Sequence, residues 1–242
     1  MKEEIVLKRY NKSMHHSYSF GAAGTIELLK HTPESVIKII LSNRLKEDAH
    51  IDIIYDICKK RNIPIEVNEK AINRIADKQN IFVIGVFEKF KKNIVSSASH
   101  IVLVNPSNMG NLGTIIRSCV GFGINNLALI TPCVDIFDPK TVRASMGAVF
   151  NLNFSHYNTF DNYLEENDAR KIYTLMLKGS TNINKLQRDK KERFSLVFGN
   201  EATGLDDSFL EKGKSVLIKH TDSVDSLNLP VAVGISIYAF LN

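Results

Sequence analysis

Three short stretches hold the residues best suited to chemistry: Asn105 to Gly123 (NPSNMGNLGTIIRSCVGFG), Leu196 to Leu205 (LVFGNEATGL) and Asp225 to Ala232 (DSLNLPVA). Across them Asn111, Asn200, Ser226 and Asn228 offer uncharged hydrogen-bonding groups, and Arg117 and Glu201 offer charge, beside glycines or apolar runs. That mixture suits a buried pocket for a polar ligand. Other chemistries fit less well. Gly199 and Gly204 have the spacing that opens a phosphate-binding loop, but Leu205 and Asp206 stand where that loop needs Lys and Ser or Thr. Gly213-Lys214-Ser215 has the right ending, yet Ser208 replaces the first glycine and a strand follows. Gly121-Phe122-Gly123 ends a predicted helix, and Asn126 takes the third glycine position of a dinucleotide fingerprint. Nucleotide hydrolysis and hydride transfer are therefore set aside. Cys58, Cys119 and Cys133 are widely spaced and read as reduced core thiols, and only His15 and His16 are adjacent, so no metal site is expected.

Each candidate also has a plain structural reading. Asn111 and Arg117 are six residues apart, about 120° from eclipsing on a helix, so they share a pocket only if Asn111 lies at an unwound helix start. Otherwise Asn111 caps the helix and Arg117 is a surface cation. Glu201 could be a charge placed on the dipole of a helix over DDSFLEKG, and Ser226 a cap before Pro230.

The elements that must position these residues alternate between helix and strand patterns. A polar, basic lead (Lys8, Arg9, Lys12) is followed by a predicted helix over SFGAAGTIELLKH, a strand over VIKIILS and a helix over EDAHIDIIYDICKKRN. IPIEV, EKAINRIADKQ and IFVIGVF continue as strand, helix and strand, which makes a small α/β unit. The segment FKKNIVSSASH lacks apolar periodicity, and the domain boundary is placed there: residues 1–95, then 96–242. The second domain reads HIVLV strand, GNLGTIIRSCVGFG helix, NLALI strand, PKTVRASMGAVF helix, NLNFS strand, FDNYLEEND helix, KIYTLML strand, then FSLVFGN and SVLIK strands and a closing helix. This alternation predicts a parallel sheet with helices on both faces and a ligand at the carboxyl ends of its strands. All three motifs begin at such an end or just beyond one.

The 242 residues carry 31 Lys and Arg against 26 Asp and Glu, a net charge of +5 that suits limited phosphate contact. No apolar stretch approaches the roughly 20 residues of a spanning helix, and the start lacks a signal-peptide core, so a cytoplasmic protein without membrane contact is expected.

Taken in order, the three motifs resemble those of the SpoU branch of the knotted SPOUT methyltransferases. The resemblance implies an RNA ribose 2′-O-methyltransferase that uses S-adenosylmethionine, acts on rRNA or tRNA and needs no metal. It implies a carboxyl-terminal trefoil knot, a rare exception to unknotted topology. It also implies an L30e-like RNA-binding first domain, in which Lys78-Gln79-Asn80 replaces a frequent His-Gln-Gly. Carried over residue by residue, Asn111, Arg117, Glu201, Ser226 and Asn228 become catalytic candidates. Gly199, Ile218 and Leu227 become cofactor contacts, with Gly199 lying bare against adenine. Arg117 and Arg143 become RNA contacts. A guanidinium is no ordinary base, so Arg117 would stabilise a developing alkoxide while a phosphate or Glu201 takes the proton. Where the family has Ile-Pro-Met-x-Gly, this chain has Ile218-Lys219-His220-Thr221-Asp222. The alternative is an RNA-binding protein of the same fold without methyl transfer.

The closing helix has almost no polar face: Val231, Val233, Ile235, Ile237, Tyr238, Phe240 and Leu241. An all-round apolar helix at a terminus predicts a homodimer, which the resemblance also implies, and Ile237 is expected at its interface.

Overall fold

The computed structural model describes residues 5, 7–46, 49–76, 80–167, 170–187, 189 and 191–242. Lys78 and Gln79 of the Lys78-Gln79-Asn80 run lie outside them. The chain forms two compact units: Met1–Phe90 with Asp135–Asn151, and Lys91–Val134 with Leu152–Asn242. Residues 135–151, read in the sequence as part of the second domain, thus cluster with the first unit.

In the first unit β1 (His16–Phe20), β2 (Val36–Leu41), β3 (Ile65–Val67) and β4 (Val83–Glu88) form a sheet in the order β1-β4-β2-β3, with only β2 and β3 parallel. β1 was not expected, since HSYSF is polar at alternate positions and follows a basic lead. Its Ser17 and Ser19 are buried all the same, with the Ser17 hydroxyl donating to the Phe137 carbonyl at 2.5 Å. The helix α3 (Glu69–Ile75) packs Ala71, Ile72 and Ile75 onto Tyr18, Ile40, Ile84 and Val86. Helices α1 (Ala22–His31) and α2 (Ala49–Arg61) bury Leu28, Leu29, Ile51 and Ile54. Gly85 permits this close approach: a Cβ there would lie 2.8 Å from Leu28 Cδ2. Asp135 accepts from Tyr10 and pairs with Lys89 at 3.0 Å, and Phe87 meets Phe137 and Phe150 edge-on.

The helix expected over Pro139–Phe150 is broken. The helix α5 (Pro139–Ala144) stops short, because Met146 (φ 53°) and Gly147 (φ 84°) turn left-handed, and a 3-10 turn follows at Ala148–Asn151. Gly147 tolerates no side chain, since a Cβ would sit 2.8 Å from Glu27 Cβ.

The second unit is a seven-stranded sheet, parallel throughout, in the order β7-β6-β5-β10-β8-β11-β9. The strands are β5 (His100–Val104), β6 (Asn126–Ile130), β7 (Asn153–Tyr157), β8 (Lys171–Leu175), β9 (Thr181–Asn182), β10 (Phe194–Phe198) and β11 (Lys214–Leu217). Two-residue β9 is too short to leave a sequence signal. Helices cover both faces, as buried parallel strands require. On one face α6 (Phe160–Glu166) sets Phe160 and Tyr163 against Val102, Ala128 and Val197. On the other, α4 (Met109–Gly121) packs beside α7 (Leu229–Leu241), whose Phe240 meets Tyr173 and Phe194 at 4.9 and 5.0 Å. DDSFLEKG forms only a 3-10 turn, Asp207–Leu210, capped by Asp206. Burial pushes the Cys58 and Cys119 thiols up to about 11 and about 12, consistent with inert core residues. Among the described residues no helix is long and apolar enough to cross a membrane, and no cluster of three His, Cys, Asp or Glu is placed to hold a metal.

Candidate functional site

β5, β10 and β11 end on the same edge of the parallel sheet, and the loops leaving them build the site. A cavity of about 650 Å³ opens there, within the ~300–1,000 Å³ range of small-ligand clefts. Its apolar wall includes Phe198, Val216, Ile218, Leu227 and Ala232. Its polar rim includes Lys178, Glu201, Asp207, His220 and Asp225. Lys178 and Asp207 pair at 2.9 Å on that rim, with both side chains well exposed.

Glu201 fastens the site together. Its Oε2 accepts from the Ser107 amide at 3.0 Å and the Ser107 hydroxyl at 2.8 Å, and its Oε1 accepts from the Asn108 amide at 3.1 Å and Asn111 Nδ2 at 3.3 Å. These donors surround the start of α4, where main-chain N–H groups lack helical partners. Burial raises the Glu201 carboxyl, but the bonds from Ser107 and Asn111 outweigh it and hold the group below its ordinary value. Glu201 is therefore an acceptor that orders two loops, and it does not sit at the start of a long helix.

Asn111 departs from expectation. It is the third residue of α4, inside the helix, and Asn108 is the cap, its Oδ1 accepting from the Asn111 amide at 3.0 Å. Asn111 reaches the site through Glu201, while Arg117 is exposed, does not line the cavity and pairs with no described residue. An ordered helix start keeps Asn111 and Arg117 on different faces, as their six-residue spacing dictates.

Gly199, Ile218, Leu227, Glu201 and Ser226 all line the cavity, whereas Asn228 does not. Asn228 occupies the N-cap of α7 with its side chain making no capping bond, so that amide remains available. Gly199 also has a reason within its own loop. A Cβ there would lie 2.0 Å from Gly204 C and 2.3 Å from Leu205 N, so the loop's own backbone excludes a side chain. Arg143 belongs to the first unit, is exposed, and forms no side-chain bond to a described residue. Sequence reasoning missed Ser107, which supplies two of the four Glu201 bonds. Its only signal was its place between Pro106 and the helix cap.

Comparison with known proteins agrees with this geometry. The chain is 33% identical over 147 residues to a putative tRNA (cytidine(34)-2′-O)-methyltransferase of Listeria monocytogenes, covering 59% of this chain and 86% of that one. It is 26% identical over 176 residues to the 23S rRNA (guanosine(2553)-2′-O)-methyltransferase of Bacillus subtilis, covering 71% and 70%. The AdoMet-bound rRNA methyltransferase from Sinorhizobium meliloti superposes with a TM-score of 0.76 at 25% identity, over 93% of this chain and 87% of that one. The family model described as SpoU rRNA Methylase matches residues 98–238, a span that contains all three motifs and the whole cavity, and the chain belongs to that family.

Proposed function

We propose that the protein methylates a ribose 2′-hydroxyl of rRNA or tRNA with S-adenosylmethionine as donor. The observation that carries this reading is the Glu201 clamp: Glu201 lines the cavity together with Gly199, Ile218 and Leu227, and its carboxylate is bonded to the start of α4. The cavity suits the cofactor: its apolar wall matches a flat base, and Lys178 with the rim carboxylates matches an amino-acid zwitterion. Bound there, the cofactor supplies an electrophilic sulfonium methyl, so that a carbon–oxygen bond forms as the carbon–sulfur bond breaks and the hydroxyl proton departs.

The chain's residues orient and stabilise rather than attack. Arg117, exposed and lacking a described ionic partner, meets the RNA and offsets the charge developing on the 2′-oxygen. Glu201, with both oxygens engaged and its proton affinity lowered, keeps its structural post, and the proton passes to an RNA phosphate. Ser226 and the free Asn228 amide position the ribose.

The first unit, read as L30e-like, and exposed Arg143 hold the RNA. The carboxyl-terminal segment is threaded as a trefoil knot, and the protein is a cytoplasmic homodimer that needs no metal. Support for the dimer comes from α7. Val233, Ile237 and Phe240 are buried against its own sheet, but Val231, Ile235, Tyr238 and Leu241 are exposed, next to exposed Phe122 of α4. This apolar strip needs a cover.

Tritium transfer from labelled S-adenosylmethionine to RNA of a strain lacking the gene, but not to DNA of the same sequence, is the expected result, because only RNA carries the 2′-hydroxyl. Cofactor binding without transfer would identify an RNA-binding protein that has lost the chemistry.

A further inference from the structure

The parallel sheet has two edges, and the cavity described above occupies only the carboxyl one. At the amino edge, Arg170 and Lys171 open β8, and Lys191, Glu192 and Arg193 lead into β10. Together they line a cleft of about 500 Å³. The segment Lys185 to Arg193 (KLQRDKKER) carries five Lys and Arg against two acidic residues, and so supplies +3 of the chain's net +5. Its acids do not neutralise the cleft. Glu192, the one carboxylate among the described lining residues, is held by Lys171 at 2.9 Å. The side chains of Lys191 and Arg193 are exposed and pair with no described residue.

Arg170 adds a buried charge to the same wall. It is 8% exposed, and its guanidinium donates to the carbonyl oxygens of Asn167, Ser96 and Ala98. Its Nε has no partner, and no described carboxylate pairs with it. A guanidinium stays charged when buried, and carbonyl dipoles offset only part of the cost of desolvating it. An anion in the cleft offsets more. Lys191, Glu192 and Arg193 also border a second cleft of about 310 Å³, floored by Ile124, Phe194 and Phe240. A cationic cleft adjoining an apolar one fits a nucleotide chain, with phosphate oxygens at the Lys and Arg and a base over the apolar floor. An acidic peptide would use the first cleft and leave the second idle.

Resting on the RNA reading above, we infer that this amino edge is an RNA-docking surface separate from the methyl-transfer site, holding backbone phosphates of the RNA that flanks the target nucleotide. β10 runs from one edge to the other, and its five residues set them about 17 Å apart at ~3.3 Å per residue. The target nucleotide itself cannot span that gap. The surface grips its RNA without reading sequence, because phosphates carry none.

The test is filter binding of 23S rRNA and of bulk tRNA, across a salt series, to the full-length protein and to a Lys191→Glu, Arg193→Glu double variant. The double change should weaken both RNAs by about tenfold or more and lower the slope of log K against log salt by about 1.5, as two lost phosphate contacts imply. Affinity for S-adenosylhomocysteine and the melting temperature should stay at wild-type values. The neutral pair Lys191→Gln and Arg193→Gln should lose the same slope with a smaller loss of affinity. Adding Glu165→Lys and Glu166→Lys, both exposed on α6, to the double variant restores the net charge and should not restore binding. Recovered affinity there would reduce the effect to net charge and overturn the inference, as would a double variant with wild-type affinity and slope. A wild type that binds neither RNA overturns it together with the RNA reading.

Discussion

The side-chain amide of Asn200 donates to the carbonyl oxygen of Asn105 across 2.7 Å, joining the loop that leaves β10 to the loop that leaves β5. Asn105 sits at φ 52°, a left-handed conformation that asparagine tolerates better than most residues. β5 and β10 are neighbours, so their loops emerge side by side. Asn200 and Glu201 then fasten both loops at consecutive positions.

Replacing Glu201 with Gln puts an amide nitrogen among donors and removes the charge. The expected cost is about 1–3 kcal/mol, together with weakened S-adenosylhomocysteine binding. Because the folded carboxyl titrates below its ordinary 4.5, its stabilisation is present above that pH and is lost as pH falls through the folded value. Urea denaturation should therefore show a gap between wild type and Glu201→Gln at pH 7 that narrows as the pH is taken down below 4.5. A gap independent of pH would deny the charge its role.

Gly199→Ala should fail for a reason internal to the loop. The added methyl overlaps Gly204 and Leu205 backbone at 2.0–2.3 Å, and backbone cannot rotate away as a side chain can. A stability loss of about 2 kcal/mol or more without any ligand is expected, read by thermal melting. Unchanged melting with lost cofactor binding would restore a direct ligand contact as the reason for the glycine.

Arg117→Ala should leave melting and S-adenosylhomocysteine affinity close to wild type, because the side chain is exposed and absent from the cavity. Methyl transfer to RNA should fall by about 100-fold or more, a typical cost of removing a charge-stabilising donor. Loss of cofactor affinity in this variant would contradict the placement.

For the dimer, the informative positions are Ile235 and Tyr238, 39% and 60% exposed, rather than Ile237, which is fully buried in its own chain. Light scattering should report two chains for the wild type and one for Tyr238→Glu, with the melting temperature of the second unit largely kept. Ile237→Glu should destabilise the fold outright. A wild-type monomer with full methyl transfer would refute the assembly.

His100 predicts an acid sensitivity away from the site. It is fully buried, with Nδ1 2.9 Å from Tyr163 Oη and Nε2 3.0 Å from the Val95 carbonyl. Burial, opposed by the Val95 bond and aided by nearby Arg170, lowers its pKa to about 4. Unfolding then takes up a proton between the ordinary 6.5 and about 4, so stability should decline as pH falls through that window, by up to ~3 kcal/mol. His100→Gln should flatten that slope in denaturant titrations from pH 7 to 4.

A deletion of residues 1–95 is a poor test of the first unit, since Asp135–Asn151 would lose the sheet it packs with. Arg143→Glu in the full chain is cleaner. It should weaken RNA binding and leave cofactor affinity unchanged, measured by filter binding and calorimetry.

The sequence alone determined most of the alternating α/β plan of the second unit, because strands such as HIVLV and NLALI are largely apolar and α4 shows its helical period, whereas two-residue β9 left no signal. It also determined the three motifs and hence the family, since residue type and order survive without coordinates. Helix ends marked by asparagine were legible in kind but not in place: NPSNMGN holds three asparagines, and only folding made Asn108 the cap, put Asn111 inside the helix and left Asn105 left-handed. Tertiary structure alone decided what lies between distant segments. Ser107 matters because β5 and β10 are sheet neighbours, which brings it to Glu201, 94 residues away in sequence, and Gly199 is required because Gly204 folds back upon it. The division of α7 into a covered and an uncovered face was equally hidden, because an apolar helix carries no sequence signal of which side its own sheet takes.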